Sequence, residues 1–407
     1  MSPFALAFRS LLRQKRRSAL MGTVVAFGLA AFALAGGFVA QSFDTLKEGS
    51  IQRVGHLQAV DRRAVGRSEE TTLEFGLSEG DRARGITARD PAVVAVLPRI
   101  EFVGLASNGT KSVPFLGVGV DPGPEATATG ARQLVVKGRY LEGDGGDGVV
   151  LGTGLAAALG VAPGDRLTLL ASTPEGSLNA VDAVVSGLAD VQIKELNDRY
   201  LAAGVGLVSR LLQSPGVVSK LVVFLQPGAD EDAAAARVKS ALNAAGFPVE
   251  LLHWRALATF YGQVRMLYIG IFGFVGSVLV VIVILSAAIV MTMAVTERTR
   301  EIGTLRALGT RPSGIRNLFL VEGILLAAAG CVAGAVLAFA VRAALNASGI
   351  VLPPAPGATT GFPIHVKFYP LAYATGFVAM LLTMTIAAFF PARRASRMSI
   401  VEALAHV

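Results

Sequence analysis

Of 407 residues only 16 % are charged, one is cysteine, one is tryptophan and four are histidine. So little charge, beside 53 % hydrophobic residues, excludes a disordered chain and argues against an ordinary soluble enzyme. The single Cys331 leaves no partner for a disulfide within the chain. His56, His253, His365 and His406 are scattered, with no second ligand at metal spacing, so no metal site is expected. No lysine stands in a glycine-rich P-loop ending in Gly-Lys-Ser/Thr, which excludes ATP hydrolysis by that route in this polypeptide.

Apolar sequence is concentrated in uncharged runs over 18–43, 266–296, 323–341 and 368–392. A bilayer needs about 20 apolar residues, so each run can span one. A fifth uncharged stretch, 343–364, carries Pro353, Pro354, Pro356 and Pro363 and reads as a loop. The expected fold is an α-helical membrane protein with four transmembrane helices and a large mixed α/β extracytoplasmic domain between the first two. Its segments are an interfacial amphipathic helix over 1–17, spans over 18–43, 265–295, 317–342 and 368–391, and the exported domain over 44–264. A connection over 296–316, a loop over 343–367 and a tail over 392–407 complete it.

Charge orients this plan. The net +8 is not spread evenly: residues 1–17, 297–316 and the tail after 392 together carry +10, whereas 43–265 hold 22 basic and 25 acidic groups. Basic loops stay in the cytoplasm, so both termini and the 297–316 connection are expected there, with the middle domain outside. The same segregation argues against a nucleic-acid surface. Arg16 and Arg17 precede Ala33-Leu34-Ala35, as in a signal peptide. The run continues through Phe38 and Val39, longer than the usual h-region of about 7–15 residues, so an uncleaved span is expected.

In the middle domain, β-rich segments over 93–106 and 112–120 flank the turn pair Asn108-Gly109. A strand Leu221–Leu225, a helix Glu231–Ala245 closed by Gly246, and a strand Val249–Leu252 suit a small α/β layer. Gly, Pro and Asp clusters at 121–130 and 142–148 read as loops. Two motifs invite chemistry. Gly76-Leu77-Ser78-Glu79-Gly80 fits a serine-hydrolase elbow, but Gly80-Asp81 and Gly85 argue against the helix that should follow, and His253 would have to serve as its base. Gly152-Thr153-Gly154-Leu155-Ala156-Ala157 after the strand Val149–Leu151 fits a dinucleotide fingerprint, yet its helix ends at Gly160, short for a parallel crossover. No catalytic residue is assigned.

The connection from Glu297 to Gly309 is more informative. Ile302, Leu305 and Leu308 recur near one helical face, flanked by Arg298 and Arg306, and Gly309 is placed to end a helix. Such an amphipathic helix suits docking in a groove of a cytoplasmic partner, and the bland alternative is a solvated loop. Glu322 is the one acid near a span, with Arg316 or a neighbouring arginine as its expected partner. Gly330 and Gly334 in the third span, and Gly270, Gly273 and Gly276 in the second, would let helices approach closely.

Glu297–Gly309 matches E-R-x-x-E-I-G-x-x-R-A-L-G, and the match extends through Phe319-Leu320-Val321-Glu322-Gly323 and recurs in Pro391-Ala392-Arg393-Arg394-Ala395 with Glu402-Ala403-Leu404. In these motifs the sequence resembles the FtsX-like or MacB-type permeases of ABC transporters. The resemblance covers nearly the whole chain. It implies a bacterial inner-membrane permease without cofactors of its own, a second permease copy or homologous permease, and a separate ABC ATPase that binds ATP and Mg. It also implies that Glu297, Arg298, Glu301, Ile302, Gly303, Leu305, Arg306, Ala307, Leu308 and Gly309 couple to that ATPase. Gly55-His56-Leu57-Gln58 after the first span looks most like lipoprotein-release permeases. Three functions follow as expectations: ATP-driven extraction of a lipophilic substrate, transmembrane signalling to an extracytoplasmic cell-wall hydrolase as an alternative, and a Ser78 hydrolase as a minor one.

Overall fold

The computed structural model describes residue 13, residues 15–66, 73–143, 146–354 and 357–399, and residue 403. In chain order the helices are α1 (Lys15–Val54), α2 (Gly80–Thr87), α3 (Pro122–Thr129), α4 (Thr153–Leu159), α5 (Lys194–Asn197), α6 (Val205–Leu212), α7 (Glu231–Ala244), α8 (Trp254–Leu257), α9 (Thr259–Glu297), α10 (Thr299–Ala307), α11 (Pro312–Ser348) and α12 (Pro370–Arg397). The strands of the main sheet are β1 (Leu57–Asp61), β2 (Val93–Ser107), β3 (Ser112–Val120), β4 (Val135–Gly138), β5 (Gly148–Gly152), β6 (Arg166–Ser172), β7 (Leu178–Ala189), β8 (Tyr200–Gly204), β9 (Lys220–Leu225) and β10 (Val249–His253). Two compact units result. A helical unit holds Met1–Thr45, Gln263–Val351 and Pro363–Val407, and an α/β unit holds Leu46–Gly262 and Leu352–Phe362.

The helical unit packs α1, α9, α11 and α12, the four helices among the described residues that are long and apolar enough to cross a membrane. Each extends beyond its apolar run, because backbone hydrogen bonding continues where hydrophobicity ends. Helix α1 thus runs from the span through Asp44, Lys47 and Glu48 to Val54 without a break. The interfacial helix expected over 1–17 lies outside the described residues except at its end. Met21, Val25, Leu29, Val283, Met291, Leu326, Cys331 and Met384 form the apolar centre of the unit. Small residues bring α11 against α1: a Cβ at Gly330 would lie 2.8 Å from Val25 Cβ, and one at Gly334 would lie 2.6 Å from the Ala26 carbonyl oxygen. Gly270, Gly273 and Gly276 differ, since a Cβ there meets no atom within 4 Å.

The α/β unit is built on one sheet in the order β10-β1-β9-β2-β3-β8-β5-β7-β4, with β6 paired to both β2 and β7. The pairings β2-β3-β8-β5-β7-β6 return to β2 and close a ring. Its inward residues, among them Ile100, Phe115, Leu151, Leu169 and Leu201, are buried in one continuous core with the rest of the sheet. The hairpin expected around Asn108-Gly109 forms, with Ser107 opposite Ser112, Gly109 at φ +88°, and Asn108 Oδ1 accepting from the Lys111 amide at 2.7 Å. The strand–helix–strand of 221–252 also forms, but β9 and β10 are not neighbours. Strand β1 lies between them and pairs antiparallel with both.

Two local expectations are corrected. Residues 122–129, expected as loop, form α3: Pro122 fits the first helical turn and Gly130 at φ +71° ends it. Residues 80–87 form α2 despite Gly80 and Gly85, because Ala83 and Thr87 are buried, and tertiary packing overrides weak propensity. The Pro-rich loop after α11 is anchored to its own unit at residues 357–359. There the Lys194 amide donates to the Gly357 carbonyl at 2.8 Å and Thr359 Oγ1 to Asp190 Oδ1 at 2.6 Å.

Candidate functional site

The segment between α9 and α11 reverses the chain twice. Arg298 leaves helical geometry at φ −111° and ψ 15°, α10 follows, and Gly309 at φ +88° ends it. Pro312 in the first turn of α11 then starts the next long helix. Thr299 ties the first corner together by donating its hydroxyl to the Thr296 carbonyl at 2.8 Å.

Helix α10 is held by one apolar and several ionic contacts. Ile302 is buried at 3 % exposure among Ala294, Val295, Ile315, Phe319, Ala392 and Ala395. Beside it, Arg298 Nη1 donates to Glu322 Oε2 at 3.1 Å and Nε to Glu301 Oε2 at 2.9 Å, while its guanidinium stacks 5.5 Å from the Phe319 ring centroid. Glu322 therefore pairs with Arg298, a neighbouring arginine. Glu301 also accepts from Arg13, and Arg306 donates to the Met398 carbonyl. Burial raises the Glu301 pKa, but hydrogen bonds from Arg298 and Arg13 outweigh it and hold the carboxyl below its ordinary value.

The three apolar residues of the expected face do not share a fate. Ile302 faces inward, Leu305 is half-buried and Leu308 is 79 % exposed. A three-residue step falls short of a helical turn by about 60°, so two steps turn Leu308 about 120° away from Ile302. The exposed surface of the segment holds Glu297, Arg300, Thr304, Ala307, Leu308 and Gly309. Gly303 is buried with Ile302, and Arg306 is half-buried. Thr299 within the segment, and Arg13 and Phe319 outside it, complete the site.

The competing motifs do not assemble chemistry. Residues 73–75, before Ser78, form a turn, and His253 Nε2 lies 3.6 Å from Asp232. At the dinucleotide-like segment, Gly154 makes room for its neighbour: a Cβ there would lie 2.9 Å from Asp198 Cα. Among the described residues no group of three His, Cys, Asp or Glu could hold a metal. A groove of roughly 810 Å³ between α2 and α7 is rimmed by Arg82, Arg89 and Arg237. Arg237 is committed to Asp90 through bonds of 2.7 and 2.9 Å, and Arg82 to Glu79 at 3.0 Å.

Two family models match the chain. Residues 18–241 match the MacB-like periplasmic core domain and residues 273–400 the FtsX-like permease C-terminal region. The lipoprotein-releasing system transmembrane protein LolC of Xylella fastidiosa (strain Temecula1 / ATCC 700964) is 26 % identical over 346 residues, 81 % of each chain. The ABC transporter permease YtrF of Bacillus subtilis (strain 168) is 33 % identical over 137 residues, 32 % of this chain and 31 % of that protein. The pyoverdine export ATP-binding/permease protein PvdT of Pseudomonas savastanoi pv. phaseolicola is 40 % identical over 115 residues, 28 % of this chain and 15 % of that protein. The periplasmic region of MacB from Actinobacillus actinomycetemcomitans aligns with a TM-score of 0.39 at 13 % identity, over 52 % of this chain and 94 % of that one.

Proposed function

The chain belongs to the FtsX-like, MacB-type permeases of ABC transporters, and from that premise we propose that it couples ATP hydrolysis on a separate subunit to extraction of a lipophilic substrate. Permeases of this family are non-catalytic and pair with ATPase subunits. The likeness to LolC over most of both chains supports a lipoprotein as the cargo. Both termini and α10 face the cytoplasm in this reading, as the positive-inside charge distribution supports.

The observation that carries the proposal is the construction of α10. A helix that only bridges two spans has no need of a buried Ile302 and an arginine paired with a buried glutamate beneath it, whereas a helix that receives force must be fixed to the spans it moves. Ile302 and the Arg298–Glu322 pair supply that fixation. Leu308, Ala307, Thr304 and Arg300 remain free to meet the ATPase. When two ATPases close on ATP, displacement of α10 passes into α9 and α11 without a hydrophilic channel for the cargo.

Leu308→Asp tests this reading. An uncompensated charge set against an apolar groove costs several kcal/mol, so ATPase co-purification should fall at least tenfold while membrane insertion is unchanged. Leu305→Asp, half-buried against the chain's own helices, should disturb folding as well as association. Extraction of a fluorescent triacylated lipopeptide from nanodiscs should fall with Leu308→Asp. Undiminished ATPase recovery and extraction would reject the coupling role of α10.

A further inference from the structure

Helix α1 enters the α/β unit as residues 46–54. Helix C-termini leave carbonyls without intrahelical partners, and these meet three donors here. The Gly55 amide, at φ +74°, donates to the Ile51 carbonyl at 2.7 Å, and Gln58 Nε2 donates to the Val54 carbonyl at 2.8 Å. The third donor is remote in sequence: Arg99 Nη1 reaches the Arg53 carbonyl at 2.5 Å.

Arg99 is 11 % exposed in its side chain and lies on β2, opposite Lys220 of β9 and Val120 of β3. Its Nη2 donates to Glu125 Oε1 at 2.6 Å and its Nε to Glu125 Oε2 at 3.3 Å, a bidentate pair with a carboxylate that is 7 % exposed. Glu125 projects from α3, which follows β3. Tyr200 senses the same enclosure: burial, and then the Glu125 charge, push its phenol up to about 12.

A buried ion pair is weak evidence for stability, because well-packed apolar residues of similar volume do as well. Apolar contact is already present, with Ile51 of α1 packed against Leu97, Val222 and Phe224. What Arg99 adds is direction. A guanidinium fixed by Glu125 offers its remaining N–H groups along set vectors, and its charge faces the negative end of the α1 dipole. Apolar side chains can slide against the sheet when the helix rotates or shifts, whereas this bond must break.

We propose that Arg99, held by Glu125, is the joint through which movement of α1 is passed to β2, so that these two residues position the α/β unit for transport without touching substrate or nucleotide. The role in transport rests on the permease reading above. The rigid joint itself does not.

The test uses the full chain with its ATPase in nanodiscs, spin-labelled at cysteines replacing the exposed Lys47 of α1 and Lys111 of the β2–β3 turn. The unmodified joint should give one narrow distance distribution, with and without ATP. The Arg99→Met/Glu125→Met variant leaves no lone buried charge, so it should fold. It should broaden the distribution at least twofold. Lipopeptide extraction should fall at least tenfold while ATPase binding and turnover stay within twofold. Arg99→Lys, which keeps the charge but lacks the fork, should show the same split and serves if the double variant does not fold. A purely structural role predicts parallel loss of assembly, turnover and extraction, and that outcome overturns the proposal. Unchanged distances with normal extraction overturn it too. If the parent protein binds its ATPase but extracts no lipopeptide, the permease reading fails, and broadening in the variants still decides the joint.

Discussion

In the helical unit, Arg298 and Glu322 bury an ion pair at 13 % and 6 % side-chain exposure. In the α/β unit, Arg99 and Glu125 do so at 11 % and 7 %. The enclosure is the same, but the third partner differs. Arg298 spends its remaining donor capacity on Glu301 and its face on Phe319, closing the corner between α9 and α10. Arg99 spends its own on the Arg53 carbonyl, at the end of α1. Both pairs therefore stand where a helix ends or turns, and where orientation must be specified. Exposed pairs such as Arg82–Glu79, at 58 % and 61 %, lie along the surface of one element and specify little.

The sharpest way to break this comparison is to remove one partner. Glu322→Ala removes the buried partner of Arg298 and leaves it the more exposed Glu301, so the cost should approach that of a broken buried pair, about 3–5 kcal/mol. Detergent-solubilised protein should lose its cooperative melt, and Arg298→Met/Glu322→Met should recover most of it. A single-variant loss below about 1 kcal/mol would show that the corner is held by Ile302 and Glu301 without Glu322.

A smaller effect separates the glycines of the helical unit. Gly334→Leu forces atoms against the Ala26 backbone, and overpacking typically costs about 1–3 kcal/mol. Gly273→Leu has open space within the chain, so it should leave the melt of the isolated permease unchanged. Equal losses on thermal melting would show that close contact with α1 is not what sets Gly334 apart, since helix propensity favours leucine over glycine at both positions.

The smallest expected effect concerns acid. Hydrogen bonds from Arg237 hold Asp90 below the ordinary carboxylate range, against the opposing effect of its burial. A depressed folded pKa contributes stability above the unfolded value, and that contribution is lost as pH falls through the folded one. Arg237 is half exposed, so the contribution is about 1 kcal/mol after solvent screening. Melting of the full chain between pH 6 and pH 3, on the order of the carboxylate range, should show Asp90→Asn with a shallower acid loss than the parent. Identical slopes would remove Asp90 from the account. Glu301 is depressed in the same direction, but its side chain is 44 % exposed, so Glu301→Gln should change the profile less.

Much of the architecture was legible before the fold because its signals are local. The 108–109 turn, the helix closed by Gly246 and the strand at 149–151 depend on residues within a few positions of one another. The helix over 122–129 was obscured by its own composition, since Pro and Gly mark helix ends as readily as loops. At the candidate site the segment was legible but its free face was not. Apolar recurrence identifies an amphipathic helix, yet it does not say whether the face is covered by the same chain or by a partner.

By itself the sequence determined four membrane-length apolar runs, the segregation of basic charge to their flanks and the amphipathic segment between the second and third. Each of these follows from transfer free energy or helical period acting over neighbouring residues. Tertiary structure alone decided that Ile302 is an anchor while Leu308 is free, that β1 inserts between β9 and β10, and that Arg99 meets both Glu125 and the Arg53 carbonyl. Those outcomes depend on which distant surfaces exclude water together, and no spacing along the chain encodes that.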